Sequence, residues 1–265
     1  MNMFLHELKA YRKSTIIWTL SLVALIVLFL SMFPAFSSDA AAFKKLLEGY
    51  PESVRKALGI SIDSISSLLG FYSYVFGYVL LCGSIQAMNI GVSIFSKEMR
   101  EKTADFLLTK PVTRAQIVTA KLSAAIVSLL ITNVIYTAAA STVAFRVSKQ
   151  SFDFTAFIMI SLTAFFVGFM FLTLGMLVSV LAPKIKAVLS LSLSIVFAFF
   201  IISMFGSVLG ETAIRYVTPF QYYDSAYIIK HSAYEVSFII VEIVFILAAA
   251  ITSYIIYLKK DIHAV

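Results

Sequence analysis

Six long runs of apolar residues, at 16–36, 71–95, 122–145, 154–181, 187–209 and 236–258, are separated by stretches where polar residues collect. At a helical rise of about 1.5 Å per residue, every run is long enough to cross about 30 Å of hydrocarbon. The pattern predicts an all-α integral membrane protein with six transmembrane helices in a single domain over 1–265. Ahead of the first run, Met1, Phe4, Leu5, Leu8 and Tyr11 recur at helical spacing among Asn2, His6, Lys9 and Lys13. Residues 1–13 are therefore expected to form an amphipathic helix in the headgroup plane before the chain turns inward. The apolar core of 16–36 is longer than a usual signal-peptide core, so it reads as a retained anchor.

Two polar stretches carry their own elements. In 37–70, Lys44, Lys45, Arg55 and Lys56 are balanced by Asp39, Glu48, Glu52 and Asp63, and Gly49-Tyr50-Pro51 makes a break. Two short helices are expected there. In 210–235 the run TPFQYYDSAYIIK is polar and rich in aromatic residues, a composition that suits the membrane interface. Tyr222, Tyr223 and Tyr227 read either as an aromatic belt or as substrate contacts.

A third stretch, 96–121, reads SKEMREKTADFLLTKPVTRAQIVTAK. It starts as an amphipathic helix, with charge from Lys97, Glu98, Arg100, Glu101, Lys102 and Asp105 and an apolar surface from Met99, Phe106, Leu107 and Leu108. Pro111 stops it, because proline lacks the backbone donor and clashes with the preceding turn. Thr113 and Gln116 then have capping-box spacing, with Val112 and Ile117 at the staple positions around them. A short polar helix thus ends at a corner where a long apolar helix starts, and such a corner can pass a push from a soluble partner into the membrane. A solvated loop with one helical turn is the plainer reading of the same residues.

Composition agrees with the span pattern: 60% of residues are hydrophobic and only 13% charged, about half the charged share of an ordinary soluble domain. The net charge of +7 does not imply nucleic acid, because the basic residues lie in short loops, where they set topology and meet anionic lipid. Most of the 21 lysines and arginines fall at 9–13, 97–121, 184–186 and 259–260. That side is expected to be cytoplasmic, with both termini on it, in a cell-membrane protein. The single Cys82 allows no intrachain disulfide. There is no phosphate-binding G-x-x-x-x-G-K-[ST], no H-E-x-x-H and no G-x-S-x-G, and His6, His231 and His263 stand far apart. Neither catalysis nor a cofactor or metal is expected in this chain.

Inside the spans, Glu242 lies about 9 Å into the last run at helical rise. A carboxylate at a helix centre costs roughly 2.5–3.5 kcal/mol on insertion scales, so it should face protein, water or the interface. Its readings are snorkelling, a place on a substrate path, or pairing with a partner. Asn133 reads as an interhelical hydrogen-bonding group or as a second path residue. Gly83, Ala87 and Gly91 make a small-residue face for close helix packing, within the bundle or against a second chain.

With KEMREKTADFLLTKPVTRAQIVTAK, the amphipathic N-terminus, six spans and TPFQYYDSAYII before the last, the chain resembles a permease subunit of an ATP-binding-cassette transporter of the type-2 exporter kind. The resemblance covers essentially the whole length. It departs at Glu101-Lys102-Thr103, where such proteins often carry a glycine before the threonine. The resemblance implies that 1–13 is a connecting helix along the membrane and that the stretch after the second span is a coupling helix. Glu98, Glu101, Asp105, Phe106 and Leu107 are then the positions that touch a separate cytoplasmic ATPase subunit, which binds ATP and magnesium. It also implies a second permease chain, identical or not, and a re-entrant cap before the last span. The exported compound would be peptide, lipid-like or amphipathic. A membrane scaffold or sensor that recruits a cytoplasmic partner without transport is the alternative.

Overall fold

The computed structural model describes residues 3–59, 64–101, 113–148, 150–182 and 185–259, and no strand occurs among them. Their elements are α1 (Met3–Ser38), α2 (Ala40–Glu48), α3 (Glu52–Ala57), α4 (Leu68–Glu101) and α5 (Arg114–Val147). After these come α6 (Phe154–Leu181), α7 (Val188–Leu209), α8 (Thr212–Arg215), a 3-10 turn (Pro219–Gln221), α9 (Ser225–His231) and α10 (Val236–Lys259). Six of the helices, α1, α4, α5, α6, α7 and α10, are long and apolar enough to cross a membrane.

Helix boundaries have local causes. Thr113 caps α5 with a complete capping box: its hydroxyl accepts from Gln116 N (3.2 Å), and the Gln116 side chain accepts from Thr113 N (3.0 Å). Asp153 caps α6 by accepting from the backbone of Thr155 and Ala156 at 2.8 and 3.1 Å. These bonds satisfy amide donors that have no partner within the helix. Gly210, at φ 70°, closes α7 in the left-handed conformation that costs glycine nothing. The two short helices expected in 37–70 are α2 and α3, separated at Gly49-Tyr50-Pro51.

The amphipathic N-terminus and the first span form one helix, without the inward turn expected after residue 13. Neither proline nor glycine interrupts 10–16, and the Thr15 hydroxyl bonds back to Tyr11 O (3.1 Å) inside the continuing helix. The buried face of α1 is the single stripe Glu7, Tyr11, Thr15, Thr19, Leu22, Ile26, Leu30 and Phe33. Likewise Ser96–Glu101 continue α4, so the polar stretch begins as an extension of the second span.

Contacts at 7–11, 94–95, 114–121 and 257–258 define one end of the bundle, called basal here. Arg114 donates to Leu258 O (3.3 Å), and Phe95 stacks on Tyr257 with centroids 4.5 Å apart. The other end, called apical, carries α2, α3 and the segment 210–235. At the centre, α4 packs along α6, and α1 packs along α5. Backbone approach between α4 and α6 is very close: a Cβ on Gly91 would lie 2.2 Å from Leu172 O, and one on Gly175 would lie 2.8 Å from Met88 O. Ala87 faces Gly168 in the same interface, whereas a Cβ on Gly83 would meet nothing within 4 Å.

A polar seam crosses the centre. Tyr72 Oη bonds Tyr136 Oη (2.9 Å) and Ser161 Oγ (2.7 Å), Asn133 Nδ2 donates to Ser161 O (3.1 Å), and Gln86 Nε2 donates to Thr132 Oγ1 (3.0 Å). Thr19 joins at Thr132 (2.9 Å), so the seam ties α1, α4, α5 and α6 together. Without water as a competitor, such bonds and close van der Waals packing hold helices together in lipid. By contrast, α7 leans on α4 and α10 on α6, and each has only 17% of its most apolar window buried, against 61% for α4.

Candidate functional site

At the basal end the structure builds a joint around Lys121. This lysine lies two turns into α5 and is only 1% exposed. Its ammonium donates to Ile94 O of α4 (2.8 Å) and stands 4.0 Å from Glu7 Oε1 of α1, itself 6% exposed. Three spans thus meet at one cation, two turns after the capping box that restarts the chain. A buried charge needs both a counter-charge and hydrogen bonds to be tolerated, and here it has Glu7 and a carbonyl that α4's own ladder shares.

The apical end is built differently. After α7 closes at Gly210, the chain dips back toward the bundle centre and returns, forming a hairpin of α8, the 3-10 turn and α9. Thr218 Oγ1 donates to Phe199 O (3.0 Å). Phe199 is ten residues from the apical end of α7, so the turn reaches about 15 Å down that helix at the standard rise. The Phe220 ring rests on Phe171 and Phe200, with centroids 5.3 and 5.6 Å away. Gln221 Nε2 donates to Ser203 O (2.6 Å) and Ser207 Oγ (3.0 Å). It fits there because Gly206 presents no side chain; a Cβ on it would meet the Gln221 amide at 3.0 Å. Irregular backbone at membrane depth survives only where protein groups satisfy it; Arg215 donates to Gln221 O and Tyr222 Oη to Tyr216 O (2.9 Å), while Thr218 and Gln221 fasten the turn to α7.

The hairpin's two ends are clamped by Arg215. Its guanidinium pairs with Glu235 at 2.6 and 3.3 Å, donates to Gln221 O, and lies 4.3 Å over the Phe238 ring. Its return arm is held to α6 by Tyr234 Oη on Met159 O (2.8 Å) and by Ser232 Oγ on Asp153 Oδ2 (3.2 Å). The Ala156 amide, with Ser232 and the Thr155 amide behind it, holds the Asp153 carboxyl below its usual pKa. Between α4, α7 and the hairpin lies a cavity of about 520 Å³, whose walls include Tyr74, Tyr78, Ser203, Ser207, Gln221 and Tyr223. These aromatic and hydrogen-bonding groups share the lining with the charged Glu211, Arg215 and Asp224, a mixture suited to a ligand with both polar and apolar parts.

The residues singled out from sequence fall at separate places. Glu98 and Glu101 belong to the basal end of α4, while Asp105, Phe106 and Leu107 lie outside the described residues. Asn133 is in the central seam. Glu242 is 4% exposed, and its carboxylate accepts a hydrogen bond from Tyr223 Oη of the hairpin. Ala87 and Gly91 face α6, and Gly83 borders a small space beside Gln86 and Asn133. Glu7 and Lys121 were not singled out. The signal for Glu7 was its place on the four-residue stripe shared with Tyr11, Thr15 and Thr19. Lys121 carried no signal beyond its position at the edge of an apolar run. Among the described residues, no three histidine, cysteine, aspartate or glutamate side chains gather as a metal ion would require.

No curated protein matches the chain by sequence. The family described as ABC-2 family transporter protein matches residues 1–262, a range that takes in all six candidate spans, the basal joint and the apical hairpin. The chain therefore belongs to the ABC-2 family and is a multi-pass membrane permease of an ABC transporter.

Proposed function

We propose that this permease forms the translocation path of an exporter and couples ATP hydrolysis by a separate ATPase subunit to movement of its spans. ATP and magnesium bind on that subunit, and two permease chains complete the path. The observation that carries the coupling is the Lys121 joint, which ties α1, α4 and α5 within two turns of the polar corner. A displacement of the stretch 96–112 enters the membrane there as a shift of three helices. The basal end is cytoplasmic on this reading, supported by the lysines and arginines concentrated at 9–13 and 97–121. Glu98, Glu101, Asp105, Phe106 and Leu107 are the partner-facing positions. The cavity between α4 and α7 lies on the path, and its lining of aromatic, hydroxyl and charged groups, Glu211, Arg215 and Asp224 among them, suits an amphipathic, lipid-like or peptide substrate.

The test is co-expression with candidate ATPase subunits, purification, and ATPase assays in lipid. Wild type should form a stable complex, and Glu101→Ala with Phe106→Ala should lose assembly or uncouple hydrolysis from transport while insertion is unchanged. A properly inserted chain that binds no ATPase would instead indicate a scaffold or sensor.

A further inference from the structure

Glu242 is a carboxyl buried inside a span, and among the described residues no cation pairs with it. An ionisable group in this setting is expensive to insert and by default marks function. Its partner is the Tyr223 hydroxyl. The Tyr223 ring is fixed on its other sides, stacked on Phe166 of α6 (centroids 5.8 Å) and edge-on to Tyr234 (5.2 Å). Tyr223 is also a wall of the apical cavity. Two residues earlier, Gln221 is seated on α7. The hairpin is therefore gripped on one side by α7 and on the other by α6 and α10, and Tyr223 is the point where the second grip meets the cavity.

We propose that Glu242 is a positioning residue: through the Tyr223 hydroxyl it holds the hairpin against α10 and sets where the Tyr223 ring stands in the cavity wall. Either protonation form of the carboxyl has a lone pair for the phenol proton, so the grip requires an acceptor at this place and not a charge. Moving α7 away from α6 and α10 must release either the seat on α7, made by Thr218 and Gln221, or the grip on α6 and α10, which Tyr223 shares with Arg215, Ser232 and Tyr234. The hairpin's displacement during transport thus depends on which is weaker. This last step rests on the transport reading; the grip itself does not.

The test is amide hydrogen exchange by mass spectrometry on the chain alone in lipid nanodiscs, without any ATPase. Tyr223→Phe and Glu242→Ala should each speed exchange over 222–231 by about tenfold, the size expected for loss of one interhelical bond in lipid. The double variant should go no further than either single one. Glu242→Gln, which keeps an acceptor oxygen, should stay close to wild type, and exchange over 165–175 of α6 should be unchanged in all. Wild-type exchange in Tyr223→Phe would overturn the proposal, as would a Glu242→Gln variant as loose as Glu242→Ala. Tyr223→Phe removes a single oxygen, so the test survives if Glu242→Ala fails to fold. Because no ATPase is present, failure here is distinct from failure of the transport reading.

Discussion

The helices of the pair α4–α6 and of the pair α7–α10 are all apolar enough to cross a membrane, but the two pairs are held by different physics. Between α4 and α6 the backbones nearly touch at Gly91 and Gly175, and a hydrogen-bonded seam runs through Tyr72, Asn133 and Ser161. Around α7 and α10 many large apolar side chains face outward, including Phe197, Ile201, Phe205, Ile243, Val244 and Leu247. Beyond their packing on α4 and α6, these two helices are tied in by the hairpin, through Thr218, Gln221 and Tyr223. In a solvent as apolar as leucine, hydrophobicity does not distinguish a helix that belongs to the core from one at its edge. Small residues and polar contacts do. The first pair is built to stay together, and the second is fastened by a clasp.

Substitutions that test this contrast should differ in size. Gly91→Leu would drive a side chain into the Leu172 carbonyl, and overpacking of this degree costs roughly 3 kcal/mol or more. The expected outcome is loss of the monodisperse peak in size-exclusion chromatography. Gly77→Leu, where an added Cβ meets nothing within 4 Å, should leave that peak in place. Equal behaviour of the two would break the comparison.

Lys121→Met comes next. It removes the cation that pairs with buried Glu7 among the described residues, and removing one member of a buried pair costs about 3–5 kcal/mol in typical cases; at 4.0 Å this pair belongs at the lower end. Thermal unfolding in detergent should show the loss, and the double variant Glu7→Gln with Lys121→Met should recover part of it. Tyr136→Phe removes a single seam bond to Tyr72 and should cost about 1 kcal/mol in the same assay. Phe205→Ala, at an outward position on α7, should move the midpoint least of these core tests.

The smallest effect concerns pH. The Asp153 carboxyl is held below its usual pKa by the amides it caps, so its contribution is present above the ordinary carboxylate pKa. That contribution is lost as pH falls through the lowered value. Wild type should therefore lose thermal midpoint below about pH 4, and Asp153→Asn, which keeps a capping oxygen without titrating, should show a flatter curve there.

Much of this was legible in the sequence because lipid imposes simple rules on length and polarity. Six spans, the break at Gly49-Tyr50-Pro51 and the capping box at Thr113 all follow from local chemistry that no tertiary contact overrides. The continuity of α1 was missed because Phe4, Leu5, Leu8 and Tyr11 look like an interfacial face by themselves. The stripe that decides the matter runs Glu7, Tyr11, Thr15, Thr19 and onward, and it mixes polar with apolar residues. Its buried members pair with groups more than a hundred positions away, such as Thr19 with Thr132 and Glu7 with Lys121. Such pairing cannot be read from spacing along one helix. Glu242 stood out because it interrupts an apolar run, but its partner Tyr223 was one of three tyrosines in an interfacial run and nothing local distinguished it.

The hairpin also dictates an order of events at the ribosome. Residues 210–235 leave the translocon after α7 and before α10, too polar and too broken to be kept in the bilayer as a span. Their seat on α7 already exists at that moment, at Ser203, Gly206 and Ser207. The counter-charge for Arg215 and the ring beneath it arrive only with Glu235 and Phe238, and the acceptor for Tyr223 only with Glu242. Closure of the grip on α10 is therefore the last step, and a nascent chain cut before α10 would carry an apical segment held only by its contacts on α7 and α6, more open to proteases on that side of the membrane.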